Sequence, residues 1–217
     1  KNKLMIYNKD CLEAMQEMKD NQFDLAIVDP PYGIGRDNQQ KIICKIANHN
    51  RKYFKNKGWD SNIPSKKYFD ELFRVSVNQI IWGGNYFSMY LPSSMGWIFW
   101  YKGQKGLTMS DGEIAFTSFN KATRLININR GFISENGLLI KGSIHPTQKP
   151  VKLYEWLLMN YAKEGDTILD THLGSGSIAI ACHNLGFDLT AYEIDKEYFD
   201  GAKKRIEQHK AQLRIAI

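Results

Sequence analysis

The chain has 217 residues, enough for one substantial core and too few for two comfortable domains, so a single domain spanning 1–217 is expected. No run of 18 or more apolar residues occurs, and the first residues lack the charged, apolar, small-residue order of a signal peptide, which points away from membrane insertion or secretion and toward a cytoplasmic protein. Cys11, Cys44 and Cys182 form no Cys-x-x-Cys pair and no cluster with histidine, so neither a metal site nor a disulfide framework is expected.

The net charge of +6 is localised. From Arg36 to Gly58 seven basic residues, Arg36, Lys41, Lys45, Arg51, Lys52, Lys55 and Lys57, face the single acid Asp37, which accounts for the whole excess and leaves the rest of the chain neutral. A charge run by itself is a solvated face, so its meaning depends on what lies beside it.

In chain order, Lys3 to Tyr7 alternates weakly and predicts a short strand, and after Asp10 the apolar Leu12, Met15 and Met18 recur at helical spacing. Phe23 to Val28 is a mostly apolar run that ends at Asp29-Pro30-Pro31, the pattern of a buried strand stopped by prolines. The basic stretch has no clean period and predicts a loop over 33–62. Ser65 is placed to cap a helix carrying Tyr68, Phe69, Leu72, Phe73 and Val75, followed by a strand from Gln79 to Trp82 closed by Gly83-Gly84. Strands are predicted at Trp97–Tyr101 and Glu113–Phe119, and the polar segment 120–142 reads as an insertion with one or two short strands. A helix follows Pro150 with Leu153, Trp156, Leu157 and Tyr161 on one face. Then come a strand at Thr167–Leu169, a glycine loop, a helix through Ala179 and Cys182, a strand at Leu189–Tyr192 and a last helix from Asp195 to about Gln208. Alternation of this kind predicts an α/β fold, a doubly wound and mostly parallel sheet with helices on both faces.

Two strand ends carry chemistry. In Asp170-Thr171-His172-Leu173-Gly174-Ser175-Gly176-Ser177 the glycines let the backbone approach a ligand, and Glu193 ends the next strand 23 residues after Asp170, near the spacing expected of an acid that accepts ribose hydroxyls. Position 179 is Ala, so the full Gly-x-Gly-x-x-Gly is absent, and no phosphate-binding lysine follows the loop; the pattern suits an adenosine-containing cofactor without a pyrophosphate. At the other strand end, the prolines of Asp29-Pro30-Pro31-Tyr32 hold the backbone extended, so the Asp29 carboxylate and the Pro30 carbonyl form a rigid pair of acceptors matched to one amino group. Tyr32 offers an aromatic face for a planar base.

These segments, in this order, resemble the DNA amino-methyltransferases that act on adenine N6 or cytosine N4, in the permuted beta-group arrangement where the catalytic segment precedes the cofactor loop. His145-Pro146-Thr147-Gln148-Lys149-Pro150 is similar to that family's segment for the methionine end of the cofactor, and Trp100-Tyr101-Lys102 falls on its tryptophan-lysine strand beside the target base. The resemblance covers nearly the whole chain. It implies a circularly permuted methyltransferase fold, S-adenosylmethionine as cofactor with S-adenosylhomocysteine as product, no metal, and transfer of the methyl to adenine N6 of a base flipped out of double-stranded DNA. The residues it implies are Asp29, Pro30, Pro31 and Tyr32 for catalysis, and Asp10, His145, Thr147, Lys149, Asp170, His172, Gly174, Ser175, Gly176 and Glu193 for the cofactor. Because the basic stretch begins four residues after Tyr32, its seven lysines and arginines are expected to meet DNA phosphates, joined by Arg124 and Arg130 of the short recognition insertion.

In two respects the chain departs from the family pattern. Thr171-His172 stands where the family has Pro-Phe, and the recognition insertion is short. Asp rather than Ser at position 29 resembles the adenine enzymes, with cytosine N4 as the alternative. Methylation of RNA or of a protein glutamine is a further alternative, which the segment order disfavours, and a catalytically silent DNA-binding subunit another. Methylation at cytosine C5 is disfavoured, since no cysteine lies in a Pro-Cys segment. The resemblance also implies a bacterial or phage-encoded protein, and leaves open a homodimer and a cognate restriction endonuclease as partners.

Overall fold

The computed structural model describes residues 2–36, 57–103, 110–129 and 144–215. Its elements follow the order β1 (Leu4–Tyr7), α1 (Cys11–Gln16), β2 (Phe23–Val28), α2 (Lys66–Val75), β3 (Ser76–Trp82), a 3₁₀ turn (Gly84–Tyr86), β4 (Trp97–Tyr101), β5 (Gly112–Thr117), β6 (Arg124–Asn127), α3 (Val151–Tyr161), β7 (Thr167–Asp170), α4 (Ser177–Leu185), β8 (Asp188–Tyr192) and α5 (Lys196–Ile215).

The strands form one sheet in the order β1-β8-β7-β2-β3-β5-β4-β6, in which β5 alone runs against its neighbours. The connection after β7 leads outward to β8 and the connection after β2 leads the other way to β3. The β7–β2 pair is therefore the switch point at which an open α/β sheet leaves a crevice beyond its carboxyl ends. Asp29 and Asp170 follow from this pairing: they close neighbouring strands despite their separation in sequence, with Ala26 in register with Leu169.

Both faces of the sheet are covered, which is why Leu25 to Val28 of β2 and Ile80 to Trp82 of β3 are continuous apolar runs. Leu25, Ile27, Ile80 and Trp82 pack with α3, α4 and α5 on one side. Ala26, Val28 and Ile81 pack with α1 and α2 on the other, through Ala14, Met15, Tyr68, Phe69 and Leu72. No helix among the described residues is long and apolar enough to cross a membrane.

Several local expectations are corrected. Strand β3 begins at Ser76, directly from α2, because Ser76 takes an extended backbone (φ −132°, ψ 138°) while its hydroxyl donates back to the Leu72 carbonyl; its polar first half hid it from an apolar-run reading. Ser65 occupies the N-cap of α2 but makes no side-chain capping bond. Strand β6 joins the central sheet beside β4 rather than standing in a separate insertion. Helix α4 starts at Ser177 because Gly176 holds the left-handed conformation (φ 74°) immediately before it. Helix α5 runs on to Ile215, since no proline or glycine follows Gln208 to stop it.

Candidate active site at the carboxyl edge of the sheet

Asp29 leaves β2 into a cavity of about 210 Å³ whose walls include Tyr32, Tyr86, Lys102, Glu113 and Lys149. Its two carboxylate oxygens are both engaged: Oδ1 accepts from the Tyr32 hydroxyl at 2.6 Å and Oδ2 from Lys149 Nζ at 2.5 Å. The Tyr32 ring is stacked on Tyr86, with centroids 5.0 Å apart and planes 16° from parallel, so one of its faces is already covered. The ring lies so close over Gly83 that a Cβ there would run into it, which explains the glycine at the end of β3.

The loop that carries Tyr32 is held by a residue the sequence did not single out. Asp60, 2% exposed, accepts from the backbone N–H groups of Tyr32 (2.7 Å) and Gly33 (2.9 Å) through Oδ1 and of Arg36 (2.7 Å) through Oδ2. A lone Asp in a polar stretch gives no sequence signal. Glu113 is the second unheralded residue. It sits at the amino end of β5, and because β5 runs antiparallel that end reaches the same edge of the sheet as the carboxyl ends of the other strands. Its Oε1 pairs with Lys102 Nζ at 2.5 Å and its Oε2 with Lys149 Nζ at 2.9 Å. Burial alone would raise the Glu113 carboxyl, but Lys149 and Lys102 outweigh it and hold the pKa at about 2. Burial likewise raises Asp29 above the usual carboxylate range against the pull of Lys149, while the two carboxylates overcome burial and keep Lys149 protonated above its ordinary value. Of the Trp100-Tyr101-Lys102 strand, Lys102 enters the pocket; Trp100 turns into the core and donates its indole N–H to the Ile128 carbonyl.

The second cluster lies at the ends of β7 and β8. Glu193 accepts from the Gly174 N–H through Oε2 and from the Asp195 N–H through Oε1, both at 2.9 Å. Asp170 accepts from the His172 N–H at 3.0 Å, and burial, helped by Asp29 and Glu193, lifts its pKa to about 8. Gly174 (φ 53°) faces the His145 ring, which also packs edge-on against Tyr198 at 4.4 Å. Thr147 donates its backbone N–H to His145 Nδ1 at 3.3 Å, which keeps the ring beside the glycine loop. The Ser177 hydroxyl donates to the Lys149 carbonyl at 2.7 Å, so the two clusters are joined through the backbone that carries Lys149. Behind the loop Arg205 Nη1 donates to the Ser175 carbonyl at 2.8 Å and to Ser177 Oγ at 2.9 Å, a support from α5 that no motif announced. Asp10 caps α1, its Oδ1 accepting from Leu12 N at 2.7 Å and Glu13 N at 3.2 Å.

His172 is held by a short chain of polar groups. Its Nδ1 lies 2.8 Å from Thr171 Oγ1, which lies 2.7 Å from the Tyr68 hydroxyl, and burial pushes the imidazole pKa down to about 4. In an unfolded chain the same ring titrates near 6.5, so between those values the unfolded state binds the proton and stability falls as pH is lowered from about 6.5 to 4. Replacing His172 by Phe is expected to flatten that loss by up to about 1.4 kcal/mol per pH unit, read from denaturant unfolding of the two proteins across the same window.

Of the expected DNA-facing cations, the three among the described residues, Arg36, Lys57 and Arg124, do not gather in one place. Arg36 lies at the mouth of the cavity. Lys57 is directed elsewhere: its ammonium pairs with Asp195 at 2.7 Å and Glu197 at 2.9 Å and sits 4.3 Å from the centroid of the Tyr198 ring, so it braces the start of α5. Arg124 stands opposite Ile98 at the amino end of β6, whereas Lys102 follows the carboxyl end of β4; a strand length separates it from the cavity. Lys41, Lys45, Arg51, Lys52, Lys55 and Arg130 lie outside the described residues. Among the described residues no group of three or more His, Cys, Asp or Glu side chains is placed to hold a metal ion.

Comparison with known proteins identifies the family and the fold. The chain is 28% identical to the type II methyltransferase M.HpaI of Haemophilus parainfluenzae over 91% of its own length and 72% of that protein. It is 25% identical to the type II methyltransferase M2.DpnII of Streptococcus pneumoniae over 95% of its length and 91% of that protein. Among solved structures, the complex of M1.HpyAVI with SAM superposes with a TM-score of 0.60 at 20% identity, covering 94% of this chain and 98% of that one. The cytosine-N4-specific PvuII DNA methyltransferase superposes at 0.62 and 13% identity, covering 97% and 91%. Both share the fold. The family model described as DNA methylase, for N6 and N4 methyltransferases, matches residues 94–204, a span of more than half the chain that includes Glu113, Lys149, the glycine loop and Glu193. The chain therefore belongs to the N6/N4 DNA methylase family.

Proposed function

We propose that this protein transfers a methyl group from S-adenosylmethionine to N6 of an adenine flipped out of double-stranded DNA, with Asp29, Pro30, Pro31 and Tyr32 as the catalytic segment. The observation that carries the reading is a half-buried, rigidly held carboxylate, Asp29, at the switch point of the sheet, next to the strand that ends in the glycine loop. The residues of the loop fit the cofactor. Gly174 and Gly176 both take positive φ, Gly174 passing beside the His145 ring and Gly176 letting the loop pack closely on Ala202 and Ile206 of α5. Glu193 offers carboxylate oxygens suited to two ribose hydroxyls, and Asp10 and His172 are assigned to the cofactor adenine. His145, Thr147 and Lys149 line the path from that loop to Asp29. Bound there, S-adenosylmethionine supplies an electrophilic methyl on a sulfonium.

The chain's own task is to make an aromatic amine nucleophilic, because its lone pair is delocalised into the ring. Asp29 and the Pro30 carbonyl accept the two N–H hydrogens of the amine, favour a tetrahedral nitrogen and stabilise the positive charge that grows on it. The Asp29 carboxyl, lifted by burial, is suited to receive the proton that the methylated nitrogen sheds. The stacked Tyr32 and Tyr86 rings form an aromatic wall of the cavity beside Asp29. The basic segment that begins at Arg36, itself a lining residue of the cavity, supplies cations for DNA phosphates.

Cytosine N4 is the second reading, because its amine and adjacent ring nitrogen present the same donor and acceptor as adenine, and the PvuII likeness shows that the fold serves that base. Asp at position 29 favours adenine. The names of the curated relatives, type II methyltransferases, support modification of a short DNA site alongside a cognate restriction endonuclease. Incubation with labelled S-adenosylmethionine and duplex DNA, single-stranded DNA or RNA, followed by nucleoside analysis, is expected to yield N6-methyladenine from duplex DNA. N4-methylcytosine would transfer the assignment to the second reading, and label in RNA alone would sink both.

A further inference from the structure

Both acceptor oxygens of Asp29 are occupied before any base arrives, one by the Tyr32 hydroxyl and the other by Lys149. A target amine that donates to Asp29 competes with them for its lone pairs, and an ammonium or phenol that yields its place in a largely enclosed cavity needs another partner. Glu113 supplies it. Its Oε2 is already 2.9 Å from Lys149 Nζ and 3.4 Å from the Tyr32 hydroxyl, while Lys102 holds Oε1 and so fixes the carboxylate in this orientation.

We infer that Glu113 is the acceptor to which Lys149 and the Tyr32 hydroxyl withdraw when the target amine takes Asp29. This role rests on the reading of Asp29 as the amine acceptor and makes Glu113 a positioning residue, acting through its two neighbours. The exchange needs only small side-chain shifts, because each leaving group already contacts both carboxylates and keeps the one to Glu113. It also keeps the charge of the cavity balanced, with two carboxylates, Asp29 and Glu113, facing two ammonium groups, Lys149 and Lys102. Without the second carboxylate, Lys149 and Tyr32 would compete with the base for Asp29 in every turnover.

The test is a double-mutant cycle on methyl transfer to unmethylated genomic DNA with labelled S-adenosylmethionine. Glu113→Gln keeps shape and removes charge; it is expected to lower kcat by about 10- to 100-fold, the worth of a charge-assisted hydrogen bond, with cofactor affinity nearly unchanged. In a Tyr32→Phe background, where no hydroxyl has to leave Asp29, the Glu113→Gln penalty on kcat is expected to shrink at least about threefold, a coupling that distant sites do not produce. Because the two side chains also touch, the same cycle is run on unfolding free energy, and an equal coupling there would overturn the inference in favour of a structural contact. Turnover of Glu113→Gln equal to wild type overturns the inference, as does a penalty that is the same in both backgrounds. Should Glu113→Gln fail to bind cofactor, Glu113→Asp replaces it in the cycle, retaining charge but shortening the reach, and the same two outcomes decide. If the wild type transfers no methyl to DNA, the reading of Asp29 falls and takes the inference with it. Wild-type activity with additive penalties removes the inference alone.

Discussion

Asp29→Ala is expected to lower methyl transfer to DNA by at least about 10²- to 10³-fold, the range found when a single preorganised charge-stabilising group is removed from an active site. The substitution takes away the carboxylate that accepts the amine hydrogen and faces the growing positive charge, and alanine supplies no substitute. It should not unfold the protein, because Lys149 retains Glu113 at 2.9 Å and its ammonium is not orphaned. Cofactor affinity is expected to stay close to wild type, since the glycine loop and Glu193 stand on β7 and β8 and are braced by each other, by His145 and by Arg205. Turnover with labelled cofactor and a separate cofactor titration distinguish the two effects. A variant that methylates DNA within about tenfold of wild type, a difference of only about 1.4 kcal/mol, would remove Asp29 from the mechanism.

Lys149→Met is expected to be the most damaging single change to stability, at about 3–5 kcal/mol. The lysine side chain is only 3% exposed and lies between Asp29 and Glu113, which are themselves 17% and 23% exposed. Methionine fills the volume but leaves two carboxylates in the cavity, with Lys102 paired to Glu113 and no cation paired to Asp29. The response is proton uptake: without the lysine, burial and the Glu113 charge both push Asp29 upward, so its acceptor function is lost at a higher pH than in the wild type. Two measurements check this. Denaturant unfolding gives the loss of stability, and the same substitution in an Asp29→Asn/Glu113→Gln background should cost much less, because no charges are then left unpaired. The pH profile of residual activity should move to the alkaline side. A penalty that persists undiminished in the neutral background would mean that Lys149 acts through packing.

Most of the fold was legible in the sequence because its signals are local. The apolar run of β2 ending at two prolines, the apolar face of α3 after Pro150 and the glycine loop between β7 and α4 each carry their own periodicity or stop signal, and each formed where expected. Strand β3 and the end of α5 were misjudged where the residues are polar and context decides. The residues around the two motifs were legible only in part. Asp29 and Tyr32 could be named from sequence, as could Gly174 and Glu193, since strand-end acids and glycines have few reasons to recur at that spacing.

What sequence could not supply is which charges meet. Lys57 belongs to the basic run by composition, yet its ammonium is held by Asp195 and Glu197 at the start of α5. Asp60 has no pattern around it and still fixes the backbone of Tyr32, Gly33 and Arg36. Glu113 escaped because chemistry was sought at the carboxyl ends of strands, and only the antiparallel pairing of β5 brings its amino end to that edge. The sequence by itself determined the two acidic strand ends, their order and the fold that presents them. The partners of those acids were settled by strand direction and by burial, which depend on residues far apart in the chain and leave no mark on any one stretch of it.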